Sequence, residues 1–190
     1  MLLLVGLGNP GSDYTNTRHN IGFKIIDAIN EHFKLSKQKP KFKGLLTTGS
    51  IEEKKIYAIK PLTFMNNSGT AIKELIDYFK IDAKDVIVFH DDMDIDFGKI
   101  KAKFGGSSAG HNGINSIDKF IGKDYSRVRV GIGHPKQKKK VNNHVLEDFK
   151  EDEEEKIKEI TENIVKQIPT LIDKKIDLFS SKVNQNLNGI

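Results

Sequence analysis

Apolar residues recur along the chain with two different periods, and the switches between them mark out alternating strands and helices. Short apolar or alternating runs predict strands over residues 2–7, 45–51, 56–62, 85–90, 99–104 and 127–133. Helical spacing governs the stretches between them. Ile25, Ile26, Ile29 and Phe33 share one face, as do Ile72, Leu75, Ile76 and Phe79, and as do Ile114, Ile117 and Ile121 with Phe120 beside them. The same spacing returns in Ile157, Ile160, Ile164, Ile168, Leu171 and Ile172. Pro169 falls inside that last series and is expected to kink or split it, since it has no amide proton to donate and its ring crowds the preceding turn.

Val86-Ile87-Val88-Phe89 is apolar on both faces, the mark of a central strand covered by helices on each side. Glu52-Glu53-Lys54-Lys55 reads as a hairpin turn and adds an antiparallel pair to an otherwise alternating order. The expected fold is therefore α/β: a single domain over residues 1–190, with a twisted mixed β-sheet flanked by helices. From about Ser180 the sequence is polar enough for a partly disordered tail. In open α/β sheets the chemistry gathers in loops at the carboxyl ends of strands. Three polar clusters follow predicted strands here: Asn9, then Met65-Asn66-Asn67, then His90-Asp91-Asp92-Met93-Asp94. If those strands are parallel neighbours, the clusters converge on one cleft.

Composition narrows the class. Cysteine is absent, which excludes disulfides and thiolate metal sites and fits a reducing compartment, with cytoplasm the expected location. The apolar run at the N-terminus is short and has no basic flank, so it suits neither a signal peptide nor a membrane span. Lys plus Arg is 31 against 26 for Asp plus Glu, but the charge is segregated. Between Phe97 and His144, eleven basic side chains face only Asp118 and Asp124, a local +9 compatible with a polyanion-binding face or with a solvated lysine-rich surface. The acidic run Glu151–Glu155 suits the start of the last helix, where negative charge complements the helix dipole.

Several motifs carry candidate chemistry. Gly6-Leu7-Gly8-Asn9-Pro10-Gly11 matches the G-x-G-x-x-G dinucleotide fingerprint after a strand. That fingerprint needs a helix opening within the glycines, whereas Pro10 removes a donor there and helical periodicity begins only near Ile25. Gly8 and Gly11 are better suited to bending the chain around Asn9. Gly106-Ser107-Ser108-Ala109-Gly110 matches G-x-S-x-G and would make Ser108 a nucleophile, although no suitable histidine and acid follow it. Asp91, Asp92 and Asp94 offer hard-metal oxygens, with Asp92 and Asp94 on one face of an extended segment, but no second ligand cluster supports them. His19 and Asp91 are the simplest acid/base pair available: a carboxylate on one imidazole nitrogen fixes the tautomer and leaves the other nitrogen to deprotonate water. Asn66 and Asn112 stand at helix starts, where asparagine serves as an N-cap or as an amide donor to a substrate carbonyl.

Taken in order, Val5-Gly6-Leu7-Gly8-Asn9-Pro10-Gly11, Tyr14, Thr17-Arg18-His19-Asn20, Lys60-Pro61-Leu62-Thr63-Phe64-Met65-Asn66, His90-Asp91-Asp92-Met93-Asp94, Gly110-His111-Asn112-Gly113 and Arg129-Val130-Gly131-Ile132-Gly133-His134-Pro135 resemble the bacterial-type peptidyl-tRNA hydrolase. The resemblance spans residues 1 to about 150. It implies hydrolysis of the ester joining a peptide to the 3′-terminal ribose of tRNA, by a monomer that needs neither metal nor organic cofactor. It also implies a role for each matched residue. His19 would activate water, and Asp91 would orient and polarise His19. Asn9, Asn66 and Asn112 would bind the peptide backbone and terminal nucleotide, and Tyr14 and Met65 would shape the walls. Lys103 and Arg129 would face tRNA phosphate, with Lys136 to Lys140 a candidate extension. Asp92 and Met93 depart from the more usual Glu-Leu, and Gly-Ser-Ser-Ala-Gly varies the glycine-rich loop before His111; neither departure touches His19 or Asp91.

Overall fold

A computed structural model describes residues 1–135 and 141–187; the lysine-rich stretch 136–140 lies outside them. Strand β1 (Leu2–Gly6) is buried along its whole length between β4 (Lys54–Pro61) and β5 (Val86–Asp92), parallel to both. With β2 (Lys39–Lys41), β3 (Gly44–Ile51), β6 (Ile100–Phe104) and β7 (Ser126–Gly131) they form one seven-stranded mixed sheet in the order β2-β3-β4-β1-β5-β7-β6. The β3–β4 hairpin is the antiparallel pair expected from Glu52 and Glu53, which adopt φ of 45° and 64°, the left-handed conformation a two-residue turn requires. Edge strand β2 had no signal in the sequence, because Lys39, Pro40 and Lys41 are all exposed and show no alternation.

Alternation along β1 divides the core in two. Leu2 and Leu4 pack on one face with Ile25, Ile29, Ile160 and Ile164; Leu3 and Val5 pack on the other with Ile72, Leu75, Ile114 and Ile117. Helices α1 (Ile21–His32), α5 (Glu151–Lys166), α6 (Ile168–Ile172) and α7 (Ile176–Leu187) therefore cover the first face, and α2 (Ser68–Phe79) and α3 (Asn112–Ile121) the second. A short helix α4 (Val141–His144) precedes α5. Pro169 sits in the first turn of α6 and splits the C-terminal helical run, as its chemistry predicts.

The expectation of a partly disordered tail from Ser180 is corrected over its described residues, 180–187; residues 188–190 lie outside the described ones. Residues Ser180–Leu187 continue α7, with Phe179 and Val183 fully buried. The polar side chains are used on edge strand β6: Ser180 Oγ accepts from Ala102 N at 2.9 Å, while Asn184 accepts from Ile100 N at 3.0 Å and donates to Ile100 O at 2.8 Å. They stand in for the neighbouring strand that β6 lacks on that side. None of the helices in the described residues is long and apolar enough to cross a membrane.

Candidate active site

The chain leaves β1 toward α1 on one side and returns from α2 to β5 on the other, so the carboxyl ends of β1 and β5 form a topological switch point. Helix α1 lies against the backbone there. A methyl at Gly22 would stand 2.3 Å from Leu7 N and 2.5 Å from Phe89 O, and one at Gly6 would stand 2.1 Å from Gly22 O. That contact brings the 3-10 turn Arg18–Asn20, which leads into α1, over the end of β5. His19 Nδ1 meets Asp91 Oδ1 at 2.8 Å, with both side chains buried.

A second imidazole, for which the sequence carries no expected role, completes the cluster. His111 is the N-cap of α3: its Nδ1 accepts from Gly113 N at 3.1 Å and from Ile114 N at 3.3 Å. An acceptor nitrogen carries no proton, so the ring proton is on Nε2, which donates to Asp91 Oδ1 at 3.0 Å. His19 likewise donates from Nδ1, which leaves its Nε2 as a lone pair in the cleft. Burial raises the pKa of Asp91, but His19 and then His111 outweigh it and hold the carboxyl far below the usual carboxylate range. His90, behind them, donates from Nδ1 to Asp91 O at 2.7 Å; burial first, and His111 second, push its pKa well below the ordinary histidine value, so it stays neutral.

The other expected residues divide into two groups. His19, Asp91 and Asn112 line a cavity of about 270 Å³ whose walls include Met93, Ser108 and Val145. Asn9 lies outside that lining, in a separate depression with Asn20, Phe23 and Lys60. Its amide is fixed: Asn9 Oδ1 accepts from Met65 N at 2.9 Å, and Asn20 brackets the Asn9 backbone by accepting from N at 2.8 Å and donating to O at 2.9 Å. Asn9 Nδ2 is thereby turned away as a donor without a partner among the described residues. Met65 is buried against Gly113, and Tyr14 meets the exposed Phe64 edge-on at 6.5 Å. Asn66 is exposed in the 3-10 turn before α2. Neither Asn66 nor Asn112 is an N-cap: those positions belong to Asn67 and His111, and of the two only His111 makes the capping bonds.

Lys103 and Arg129 share a sheet face, as the β6–β7 register requires, but Arg127 between them is not available to a polyanion. It is 1% exposed, donating to Asp118 Oδ1 at 2.8 Å and Ser107 O at 3.0 Å. Arg129 donates from Nε to Asp92 Oδ2 at 2.8 Å. Burial, followed by Arg129 and Arg127, pushes the Lys103 pKa down.

The rival motifs lose their support. Gly8 has no positive φ; its missing side chain makes room for the Phe23 ring, which a methyl would meet at 2.7 Å, while Gly11 does turn, at φ 111°. Between Gly11 and α1 lie nine residues, so no helix opens inside the glycines. Ser108 Oγ has no histidine or acid partner among the described residues. The three aspartates diverge: Asp91 to the histidines, Asp92 to Arg129, and Asp94 to His134 at 3.0 Å.

A buried carboxylate that orients an imidazole, with a ring nitrogen open to a cleft at the switch point of an α/β sheet, is the arrangement of a protein able to support general-base chemistry. Comparison with known proteins narrows this class. The peptidyl-tRNA hydrolase family model matches residues 3–189. A peptidyl-tRNA hydrolase from Pelagibacter ubique is 73% identical over 97% of this chain and 99% of its own, and one from Bartonella henselae is 45% identical over 100% and 98%. The crystal structure of peptidyl-tRNA hydrolase from Acinetobacter baumannii superposes with a TM-score of 0.90 at 33% identity, covering 97% of this chain and 94% of that one. The chain belongs to the peptidyl-tRNA hydrolase family.

Proposed function

We propose that His19 Nε2 is the general base in hydrolysis of the ester bond of peptidyl-tRNA, the reaction that releases free peptide and free tRNA. As a member of its family the chain is a peptidyl-tRNA hydrolase; the geometry of the cleft supports the following roles for its residues. His19 Nε2 takes a proton from water as the water oxygen attacks the ester carbonyl. Negative charge then develops on the former carbonyl oxygen, where the amide of Asn112, which lines the cavity with His19, would donate to it, while Asn9 in the separate depression would bind the substrate further along. Collapse breaks the carbon–oxygen bond to the ribose, and the proton held on His19 passes to the departing 3′-oxygen. Asp91 stays ionised throughout and stabilises the transient imidazolium. The single observation that carries this reading is the pair of hydrogen bonds on Asp91 Oδ1, from His19 Nδ1 at 2.8 Å and His111 Nε2 at 3.0 Å, because they set the tautomer that frees His19 Nε2.

The reaction so described is metal-independent. The donor atoms of His19, Asp91 and His111 lie within 4.8 Å of one another, a spacing that would also suit an ion. A metal on His111 Nε2 would drive the ring proton to Nδ1, which already accepts two backbone N–H groups. The donor set therefore favours a hydrogen-bonded cluster. Met65, Tyr14 and Asn66 would border the substrate, and Lys103 and Arg129 would bind tRNA phosphate without reading bases. The protein would act as one domain and as a monomer in the cytoplasm. The test is release of tRNA from an N-acetyl-aminoacyl-tRNA, with and without EDTA, by the parent and by His19→Ala. Turnover that resists EDTA and vanishes in the variant is expected. A His19→Ala protein that cleaves at the parent rate would sink the mechanism.

A further inference from the structure

Arg18 stands next to the proposed base, 3% exposed, and takes no part in the chemistry just described. Its guanidinium donates to Glu153 Oε2 at 2.7 Å, Glu147 O at 3.2 Å and His144 O at 3.4 Å, and lies 5.5 Å from the centre of the Phe149 ring. The main chain repeats the connection. Arg18 N donates to Glu147 O at 3.1 Å, His19 N to Val145 O at 2.8 Å, and Phe149 N to Asn16 O at 3.3 Å, with Thr17 and Asp148 bridged in antiparallel fashion. Residues 16–19 and 145–149 thus run as a short ladder behind the catalytic histidine. Besides His19 itself, the ladder contributes Val145 to the cavity wall, the residue whose carbonyl holds His19 N.

We infer that Arg18 is a positioning residue for His19, fixing the segment Val145–Phe149 whose carbonyls hold the base's own backbone; this rests on the assignment of His19 as base. The His19 side chain has a fixed partner in Asp91, on β5, so a shift of the His19 backbone lengthens or misaligns the bond from Nδ1. On one side that backbone continues into α1, which the contact at Gly22 pins to the sheet. On the other side the ladder holds it, and the Arg18 guanidinium bonds Glu147 O within the ladder and His144 O just before it. Glu153 anchors the guanidinium in turn, since its Oε2 also accepts from Lys150 N at 2.9 Å and so belongs to the capped start of α5. A purely structural buried ion pair would be replaceable by apolar groups at little cost in stability, and often with a gain. A positioning pair would not be replaceable without loss of rate.

That difference supplies the test. Arg18→Lys and the double variant Arg18→Met with Glu153→Gln are compared with the parent by thermal denaturation, by kcat and KM on N-acetyl-aminoacyl-tRNA, and by NMR of the His19 Nδ1–H in protein carrying labelled histidine. A lysine keeps the charge but cannot fork to two carbonyls and a carboxylate. The expected result is kcat lower by about ten- to a hundred-fold, the range for sub-ångström to ångström misplacement of a catalytic group. KM should stay within about two-fold, and the Nδ1–H signal should broaden or move while the protein remains folded. Glu153→Ala should lower kcat in the same way and Glu153→Gln should recover most of it, because the amide oxygen still accepts from Arg18. Folded Arg18 variants with parental kcat and an unmoved Nδ1–H signal would overturn the inference, as would a rate loss matching the fraction unfolded. Should His19→Ala prove active, the base assignment itself fails, a different outcome from active Arg18 variants beside an inactive His19→Ala.

Discussion

Substituting His111 by alanine and, separately, by asparagine divides its two tasks. Nδ1 caps α3 by accepting from Gly113 N and Ile114 N, and Nε2 donates to Asp91. Alanine removes both. Asparagine suits the cap, since residue 111 has φ −69° and ψ 114°, the extended conformation of an N-cap, but its amide is too short to serve the cap and Asp91 together. Losing the cap costs about 1 kcal/mol, and losing a hydrogen bond to a buried charge about 1.5–3 kcal/mol. The alanine variant should therefore be destabilised by roughly 3 kcal/mol and the asparagine variant by roughly 2 kcal/mol. For a chain of this length that separates their melting temperatures by about 2–4 °C. Activity should not show the same difference. Both variants leave Asp91 oriented by His19 alone, so both should lose kcat to a similar extent, with about ten- to a hundred-fold as the bound set by one charge-assisted hydrogen bond. Urea or thermal denaturation measures the first quantity and steady-state cleavage of N-acetyl-aminoacyl-tRNA the second. An asparagine variant with parental kcat would refute the contribution of His111 to Asp91, and equal stability of the two variants would refute the cap.

Reversing charge at Lys103 and Arg129 should weaken binding of full-length tRNA and flatten its salt dependence, while cleavage of a short aminoacyl-nucleotide changes much less. Equal losses on both substrates would contradict the phosphate assignment. A pH dependence of stability follows from His90, whose pKa is depressed in the folded protein by burial. The unfolded chain binds a proton there below about pH 6.5 and the folded chain does not, so stability falls as pH drops from 7 to 5, at a limiting slope of about 1.4 kcal/mol per pH unit for this one group. Asp91 has the same sign and a lower window: its contribution is present above the ordinary carboxylate range and is lost only in stronger acid, leaving the slope between pH 7 and 5 to His90. Urea midpoints across that range should fall less steeply in His90→Gln than in the parent, and an unchanged slope would count against the assignment.

Most of the sheet was readable because burial on one or both faces writes itself into apolar alternation, from Leu2–Gly6 to Ser126–Gly131. The parts that were not readable rest on hydrogen bonds rather than on apolar burial. Residues Ser180–Leu187 look like a solvated tail, yet Ser180 and Asn184 are spent on the backbone of β6, a partner that no local pattern reveals. His111 escaped notice for a similar reason. Histidine is an uncommon N-cap, and only the capping geometry fixes the tautomer that aims Nε2 at Asp91. A histidine directly before an Asn-Gly-Ile helix start was the available signal. The contact of His19 with Asp91 is implied by nothing in their 72-residue separation; in the sequence only the resemblance of their motifs to a family's links the two.

The local charge count includes one guanidinium that does not lie at the surface, that of Arg127. Strand alternation places Lys103, Arg127 and Arg129 on one face, and α3 covers that face at Arg127 while leaving Lys103 and Arg129 partly exposed. Arg127 is drawn inward by Asp118, and its bond to Ser107 O makes it a support for the loop that carries Ser108 and His111 into the cavity wall. Arg129, two residues on, is held at Nε by Asp92, so its terminal nitrogens are presented in a fixed orientation. A guanidinium held by one edge loses less conformational entropy on meeting phosphate than a free one does, which compensates for the attraction Asp92 neutralises. Asp92 also follows Asp91 on β5, where successive side chains point to opposite sides of the strand. On the proposed assignments, one dipeptide would supply the carboxylate that orients the base and the carboxylate that orients Arg129, and the fixed pitch of a single strand would register the two ends of the substrate against each other.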